Sequence, residues 1–321
     1  MPEYFLGVDA GGSHTRAILV SSHGDVLGYG QAGAANHRTG SFDSAAAAVQ
    51  SAVSKAIGNT QITEVVSACI GSAGLEESGS EEEGRKLLGN ALRAHKVILD
   101  TDAYIAWAGA LGLQAGLIVI AGTGSIALGI DAEGNRYRVG GWGPFFGDEG
   151  SAYAIAAGAI KEALKALDRR HDDTVLVHEL LKFANLKGEL SEIPAKLTAW
   201  LYEANKSPAV IAQFSLLVAK LAQENHQVSR SILEHSGREL AELAIMAASK
   251  FTGIPRLSYG GSVLLRNRFV KEAFISTLKY AGIGCVEPLL SPVKGAGLIA
   301  LSKTSDLTRA IEALKRSADN F

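Results

Sequence analysis

The segment 140–156, GGWGPFFGDEGSAYAIA, combines residue types that could bind a small polar ligand. Its dense glycines let a backbone approach a ligand closely and adopt positive φ. Trp142 offers an apolar face, and the carboxylates of Asp148 and Glu149 stand at a predicted helix start, where the helix dipole favours negative charge. A glycine-rich turn between a strand and a helix is the alternative interpretation. Two related segments elsewhere in the chain favour ligand binding.

Two further glycine turns each follow a strand of apolar and β-branched residues. They lie in segments 5–20 (FLGVDAGGSHTRAILV) and 117–130 (LIVIAGTGSIALGI), and each leads into a second strand. This repetition indicates an internal duplication, and the free N–H groups of such turns bind phosphate oxygens. Asp9, which closes the first of these strands, is predicted either to cap the turn or to bind Mg²⁺ or water.

Neither turn matches a nucleotide-binding loop that opens a helix. The Walker A loop needs G-x-x-x-x-G-K-[ST], and the dinucleotide fingerprint G-x-G-x-x-G precedes a helix. Here each glycine turn leads into another strand, a geometry typical of hairpins. We therefore expect phosphate to bind at hairpin turns.

A second pair of carboxylates lies in ILDTDA, residues 98–103, where a predicted strand ends and a helix begins. Such junctions lie at the ligand-binding edge of α/β folds. Asp100 could be a turn residue, and Asp102 could be the N-cap of the helix. Either carboxylate could instead take a proton from a hydroxyl group.

The glycine turns resemble those of the actin-like ATPase and sugar kinase superfamily. The matching segments are DAGGSHT (Asp9–Thr15), AGTGS (Ala121–Ser125) and GGSV (Gly260–Val263). Within that superfamily, GGWGPFFGDEGSAY resembles the N-acetylglucosamine kinase branch of the BadF/BadG/BcrA/BcrD ATPase family. The resemblance implies an α/β fold of two duplicated ribonuclease-H-like lobes with an interdomain cleft, the actin-like ATPase fold.

The resemblance also implies roles for individual residues. Asp102 matches the family's Thr-Asp-Ala motif and would be the general base, and Asp9 is the predicted metal ligand. The implied substrate-binding residues are Asn36, which His37 would orient, and Asp102, Gly124, Ser125, Gly140, Gly141, Trp142 and Asp148. The implied ATP-binding residues are Gly11, Gly12, Ser13, Thr15, Thr123, Gly124, Gly260, Gly261 and Ser262.

Composition fits a soluble enzyme that acts on small molecules. Of the 321 residues, 47% are hydrophobic and 20% are charged, so a large core is available. The net charge of −2 implies no nucleic-acid partner. The start of the chain does not match a signal peptide, and no run of 18 apolar residues predicts a membrane span.

Cys69 and Cys285 lie in apolar, strand-like contexts and are predicted to be buried thiols in a reducing compartment. We expect a cytoplasmic homodimer.

The predicted organisation has two lobes joined by a short hinge near Gly116. The N-terminal lobe covers residues 1–116, carries sugar and phosphate contacts, and could be joined by a C-terminal helix within 303–321. The C-terminal lobe covers residues 117–302 and binds ATP, with a helical insertion at about residues 171–238.

The resemblance implies ATP- and Mg²⁺-dependent phosphorylation of an amino sugar, foremost N-acetylglucosamine at its 6-hydroxyl. Glucosamine, N-acetylmuramate and glucose are alternative substrates, because the sequence does not place the loops that contact the 2- and 3-substituents. A dehydratase-activating ATPase of the BadF type is a further alternative. Those proteins carry cysteine ligands for a shared iron–sulfur cluster, and the wide separation of Cys69 and Cys285 disfavours it. A non-enzymatic, sugar-responsive regulator is a third alternative, for which DNA binding has no support because no helix-turn-helix segment or basic patch precedes the first strand.

Overall fold

The computed structural model describes residues 2–35, 41–75, 79–90, 92–189, 191–203, 207–302 and 306–318. Its strands are β1 (Tyr4–Ala10), β2 (Thr15–Ser21), β3 (Val26–Ala32), β4 (Glu64–Ser72), β5 (Arg93–Thr101), β6 (Gly116–Ala121), β7 (Ser125–Ile130), β8 (Arg136–Gly140) and β9 (Leu257–Gly260). Its helices are α1 (Phe42–Ile57), α2 (Glu81–Leu88), α3 (Asp102–Leu111), α4 (Ala152–Leu167), α5 (Val175–Phe183), α6 (Ile193–Leu201), α7 (Pro208–Ala212), α8 (Phe214–Gln223), α9 (Gln227–Ala248), α10 (Gly261–Arg266), α11 (Arg268–Tyr280), α12 (Pro292–Leu301) and α13 (Leu307–Arg316).

The chain divides into two compact units, each built on its own sheet. The first unit comprises residues 1–118, 130–135 and 286–321, and the second comprises residues 119–129 and 136–285. The larger sheet has the order β3-β2-β1-β4-β5, and the smaller has the order β8-β7-β6-β9. The smaller sheet thus repeats the order of the first four strands of the larger one, which confirms the predicted duplicated α/β fold.

The larger sheet is covered on both faces. β1 pairs antiparallel with β2 and parallel with β4, and β4 pairs parallel with β5. Parallel neighbours need a crossover connection, which α2 provides between β4 and β5. On one face, apolar side chains of these strands pack against the apolar stripe of α1, which includes Val49 and Val53. The helices α3 and α12 lie on the other face.

Helix α12 packs in the first unit because glycines bring its backbone against α3 and β1. A Cβ at Gly295 would lie 2.1 Å from the carbonyl oxygen of Ile105, and one at Gly7 would lie 2.4 Å from the backbone nitrogen of Gly297. Only glycine allows backbones to approach so closely. The sequence predicts this helix in the C-terminal lobe, whereas its contacts group it with the first unit.

The predicted insertion at about residues 171–238 is helical in its described part. It contains α5 to α8 and the first half of α9. The rings of Phe183, Trp200 and Phe214 pack together and join α5, α6 and α8. Several of these helices also contact α4, so the insertion packs on the helix that follows residues 140–151, called the glycine-rich loop below.

One predicted helix is divided in the structure. The sequence predicts a single helix over residues 263–280. In the structure, Asn267 lies between α10, which ends at Arg266, and α11, which begins at Arg268. The Oδ1 atom of Asn267 accepts hydrogen bonds from the N–H groups of Phe269 (3.1 Å) and Val270 (3.3 Å). Asparagine is a preferred N-cap, and this capping side chain starts a new helix.

Both cysteines are free thiols. Cys69 is fully buried in β4, as predicted, whereas Cys285 is partly exposed. The segment of Cys285 was predicted to be a strand, but it forms a single bridge with Leu257. Within the ranges that the structure describes, there is no helix with the length and apolar character needed to cross a bilayer.

Candidate active site

The ends of two strands bring the carboxylates of Asp9 and Asp100 to the same face of the larger sheet. Asp9 is the register partner of Gly71 in the parallel pair β1–β4, and Gly71 is the partner of Asp100 in β4–β5. Since side chains alternate between the two faces along each strand, register partners share a face. Gly71 leaves room there for α3, because a Cβ at this position would lie 2.4 Å from Cδ1 of Ile105.

Asp102 is the exposed carboxylate at this edge, and Asp100 is the buried one. Asp100 is 3% exposed, and its Oδ1 accepts a 2.7 Å hydrogen bond from the N–H of Thr101. Thr101 is the N-cap of α3, because its Oγ1 accepts from the N–H of Tyr104 at 3.1 Å. The alternative that Asp102 is the N-cap is therefore wrong. Asp102 is the first residue of the helix, its Oδ1 accepts from the N–H of Ala103 at 2.9 Å, and its side chain is exposed.

Electrostatic interaction links Asp9 and Asp102. Burial raises the pKa of Asp9 to about 7, the charge of Asp102 adds to the rise, and Arg16 lowers it in part. Desolvation also raises the pKa of Asp102, against hydrogen bonds from the N–H groups of Ala103 and of Asp102 itself. The two carboxylates repel each other, and a nearby cation would favour the charged form of both. A carboxylate with a raised pKa is also the stronger base.

Asp9 fits the predicted role of a Mg²⁺ ligand by its chemistry. Carboxylate oxygens suit Mg²⁺, which in phosphate-transferring sites binds one or two carboxylates together with substrate phosphates. Among the described residues, no group of three or more His, Cys, Asp and Glu side chains is arranged to hold a metal ion. Asp9 would therefore share the ion with phosphate oxygens and water, and this role remains a prediction.

The first glycine turn presents two of its residues to solvent. The N–H of Gly11 donates to the carbonyl of His14 at 3.0 Å, which closes the turn. Gly12 and Ser13 are exposed at its tip. Their backbone and hydroxyl groups are accessible, as a contact with phosphate would require.

Two predicted ligand hydroxyls are directed into the protein instead. Thr15 is fully buried, and its hydroxyl donates to the carbonyl of Gly33 at 2.8 Å. Ser125 is 4% exposed, and its hydroxyl donates to the carbonyl of Glu149 at 2.7 Å. These hydrogen bonds fix the turns, and the contacts of Thr15 with ATP and of Ser125 with the substrate remain predictions. Asn36 and His37 lie outside the described residues.

Asp148 supports the second glycine turn from the side. Its Oδ1 accepts a hydrogen bond from the N–H of Ser125 at 3.3 Å, and a Cβ on Gly124 would lie 2.7 Å from Oδ2. Asp148 is 8% exposed and has a φ of +58°, a left-handed conformation that is uncommon outside glycine. Burial raises its pKa, and hydrogen bonds from Ser125 and Gly143 lower it in part. Gly124 thus makes room for a carboxylate of the protein itself.

The sequence predicts that the acidic pair Asp148–Glu149 starts the following helix, but the helix begins three residues later. Helix α4 begins at Ala152, after the N-cap Ser151. The N–H groups of Ala152 and Tyr153 donate to the carbonyls of Gly122 and Thr123, at 2.9 and 3.2 Å. Carbonyls of the second glycine turn therefore satisfy the first N–H groups of α4, and the turn and the helix start are held together.

The glycine-rich loop exposes its aromatic side chains. Gly140 and Gly141 both have a φ of +74°. Trp142 is 76% exposed, and Phe145 and Phe146 are also exposed. Trp142 therefore faces solvent rather than the core, and its ring is accessible to a ligand.

The third predicted nucleotide segment, 260–262, joins β9 to the short helix α10. Gly261 has a φ of +82°, and a Cβ there would lie 2.2 Å from the carbonyl oxygen of Ala121 at the end of β6. Gly260 is half-buried and Ser262 is exposed. The strand–helix turn is confirmed, and contact with a purine ring remains a prediction.

Sequence reasoning missed two residues that shape these sites, Gly71 and Arg138. A glycine inside a strand often marks a close approach, so Gly71 carried a signal, although its pairing with Asp9 depends on register. Arg138 carried no signal of its own, because its contacts depend on the geometry of the loop that follows it.

Comparison with known proteins agrees with the motifs. The family described as the BadF/BadG/BcrA/BcrD ATPase family matches residues 6–300. A curated relative, the N-acetylmuramic acid/N-acetylglucosamine kinase of Clostridium acetobutylicum, is 29% identical over 313 residues, which cover 94% of this chain and 99% of the relative. The N-acetyl-D-glucosamine kinase of Dictyostelium discoideum is 29% identical over 323 residues, which cover 94% of this chain and 98% of the relative.

A solved structure supports the fold. It is that of a candidate N-acetylglucosamine kinase from Chromobacterium violaceum, with a TM-score of 0.74 and 24% identity. The match covers 93% of this chain and 99% of that one. At this level of identity the likeness shows a common fold over almost the whole length of both chains.

Proposed function

The chain belongs to the BadF/BadG/BcrA/BcrD ATPase family, and on that premise we propose that it is an ATP-dependent kinase of amino sugars. The proposed substrate is N-acetylglucosamine, and the proposed acceptor is its 6-hydroxyl. The names of the two curated relatives support this class of substrate. The observation that carries the proposal is the exposed carboxylate of Asp102 at the start of α3, electrostatically linked to Asp9.

Asp102 is the proposed general base. As the sugar oxygen attacks the terminal phosphorus of ATP and the bond to ADP breaks, the hydroxyl proton passes to the Asp102 carboxylate. Desolvation raises the pKa of this carboxylate and so increases its basicity. Mg²⁺, when bound with ATP at Asp9, would neutralise charge on the phosphates. Asp100, buried and hydrogen-bonded to Thr101, supports the strand end instead.

The proposed sugar contacts come from the second glycine turn and the glycine-rich loop. They are Gly124 and Ser125 of the turn and Gly140, Gly141, Trp142 and Asp148 of the loop. Asn36 is a further proposed sugar contact. The exposure of Trp142 supports its role. The proposed ATP contacts are Gly11, Gly12, Ser13, Thr15, Thr123, Gly124, Gly260, Gly261 and Ser262.

A cytoplasmic homodimer is part of the same proposal. The free thiols of Cys69 and Cys285 suit a reducing compartment. Sedimentation analysis of the purified protein, with and without ATP, tests the dimer, and a single monomeric species at micromolar concentration would contradict it.

Product analysis tests the proposed function. The purified protein is incubated with MgATP and N-acetylglucosamine, and the products are followed by ADP release and by phosphorus NMR. We expect one ADP and one sugar 6-phosphate for each turnover, and no ADP when the sugar is omitted. ADP release that does not depend on sugar would indicate an ATPase of another kind.

A further inference from the structure

The side chain of Arg138 bridges the two glycines of the sugar-binding loop. Its Nε donates to the carbonyl of Gly140 at 3.1 Å, and its Nη2 donates to the carbonyl of Gly141 at 2.5 Å. Both glycines have a φ of +74°. The planar guanidinium offers N–H groups in a fixed fork, and here the fork holds two consecutive carbonyls of a backbone that is otherwise free to adopt many conformations.

The same guanidinium lies over the ring of Trp142, with its carbon 5.3 Å from the ring centroid. Trp142 is 76% exposed, so few other contacts hold its ring. A cation over an indole face restrains the orientation of that ring. Arg138 also exerts an attractive Coulomb interaction on Asp148. One side chain therefore acts on four residues of the proposed sugar-binding segment.

We propose that Arg138 is a positioning residue that arranges the Gly140–Trp142 segment before the sugar binds. This inference rests on the proposed function, in which Gly140, Gly141, Trp142 and Asp148 contact the sugar. Without the guanidinium, the two glycines and the indole would have to be ordered when the sugar binds, and the lost freedom would weaken binding. The chemistry of phosphoryl transfer, assigned to Asp102, would not change.

Three variants separate positioning from general stability. Arg138→Ala removes the fork and the cation, and Arg138→Lys keeps the charge but cannot hold both carbonyls in the same fork. Arg136→Ala is the matched control, because Arg136 lies two residues earlier in β8 and therefore on the same face of the strand. The sugar KM, the ATP KM, kcat and Tm are measured for each.

We expect Arg138→Ala to raise the sugar KM about tenfold, which corresponds to about 1.4 kcal/mol of binding free energy. Its kcat and ATP KM should stay within about threefold of the wild type, and its Tm within a few degrees, a pattern that indicates lost binding. Arg138→Lys should lie closer to Arg138→Ala than to the wild type, and Arg136→Ala should match the wild type.

Acrylamide quenching of tryptophan fluorescence, without sugar, gives a readout that does not depend on activity. Trp142 should become more quenchable in Arg138→Ala, and a Trp142→Phe background identifies its share among the three tryptophans. An unchanged sugar KM together with unchanged quenching would overturn the inference. If the wild type phosphorylates no amino sugar, the proposed function fails separately, and quenching still decides whether Arg138 orders the loop.

Discussion

The exposure of Asp102 depends on its neighbour Thr101. Thr101 caps α3, so the carboxylate of Asp102 is not needed as the cap and stays exposed in the first turn of the helix. Asp100, two residues earlier, is buried and bonded to the N–H of Thr101. At this strand–helix junction, the carboxylate of Asp100 stabilises the backbone, and the carboxylate of Asp102 is accessible to a ligand.

Replacing Asp102 by Asn should remove the base while preserving the shape of the site. We expect kcat to fall roughly 10²–10⁴-fold, the usual contribution of general base catalysis. Sugar affinity, measured by isothermal titration, should change little. Asp100→Asn serves as the comparison in the same junction. A loss of less than tenfold in Asp102→Asn would contradict the assignment and direct attention to Asp100.

The half-buried carboxyl of Asp9, whose pKa is raised, should make stability depend on pH. Its native pKa is about 7 against an ordinary value of 3.8, so between these pH values the native state binds the proton that the unfolded state has released. Stability therefore falls as pH rises through this window. Asp9→Asn lacks this loss, and its Tm should exceed that of the wild type at pH 8 by at least about 2 °C.

The same comparison at pH 4, in the absence of nucleotide and Mg²⁺, supplies the control. There the Tm advantage of Asp9→Asn should shrink, because Asp9 is protonated in the native wild type. Scanning calorimetry at both pH values measures it. A Tm difference that is equal at pH 4 and pH 8 would show that the charge of Asp9 does not set the stability of this strand end.

At the scale of elements, the position of α3 depends on glycines in its neighbours. Gly71 in β4 leaves space for Ile105, and Gly295 in α12 lets that helix approach the backbone of α3. Because α3 begins with Asp102, these contacts also fix the position of the proposed base. The packing of two helices and a sheet therefore determines where the carboxylate lies.

A methyl group at Gly295 should disrupt this packing. Alanine favours a helix over glycine by about 1 kcal/mol, but the added Cβ would lie 2.1 Å from the Ile105 carbonyl, a backbone atom that cannot turn aside. Overpacking typically costs about 1–3 kcal/mol and more against a rigid neighbour, so we expect Gly295→Ala to be destabilising overall. Urea unfolding measures the change.

Gly33→Ala is a matched control in the same unit, because nothing lies within 4 Å of a Cβ there. It should leave the free energy of unfolding nearly unchanged. If Gly295→Ala proves more stable than the wild type, helix propensity outweighs packing, and the close approach of α12 to α3 is not as tight as described.

Local sequence patterns predicted the strands and turns, but they did not predict which of these elements contact each other. The glycine turns, the apolar strands and the duplication could be read from short segments, and both sheets confirm them. The partnership of Asp9, Gly71 and Asp100 required the register of strands that lie far apart in the chain. The left-handed conformation of Asp148 and the contact of its carboxylate with Gly124 likewise could not be predicted, because the two residues lie far apart in the chain.

At the scale of the whole molecule, each of the two units is built on a sheet with the same order of four strands. Within the first unit, α12 returns from the end of the chain to pack on β1 and α3. The return of α12 could not be predicted from local pattern, because its packing glycines resemble any other small residues in a helix. The proposed function of the whole chain is tested by its choice of substrate.

The kcat/KM values for N-acetylglucosamine, glucosamine and glucose, measured with MgATP in a coupled ADP-release assay, test the proposed substrate specificity. The exposed face of Trp142 offers a surface for the acetyl methyl group, and such a contact is worth about 1–3 kcal/mol in a fitted pocket. We expect N-acetylglucosamine to exceed glucose at least tenfold, with glucosamine also poorer because it lacks the acetyl group and carries a charge. Equal or higher values for glucose or glucosamine would contradict an acetyl-specific kinase, and no sugar-dependent ADP release with any of the three would contradict the kinase itself.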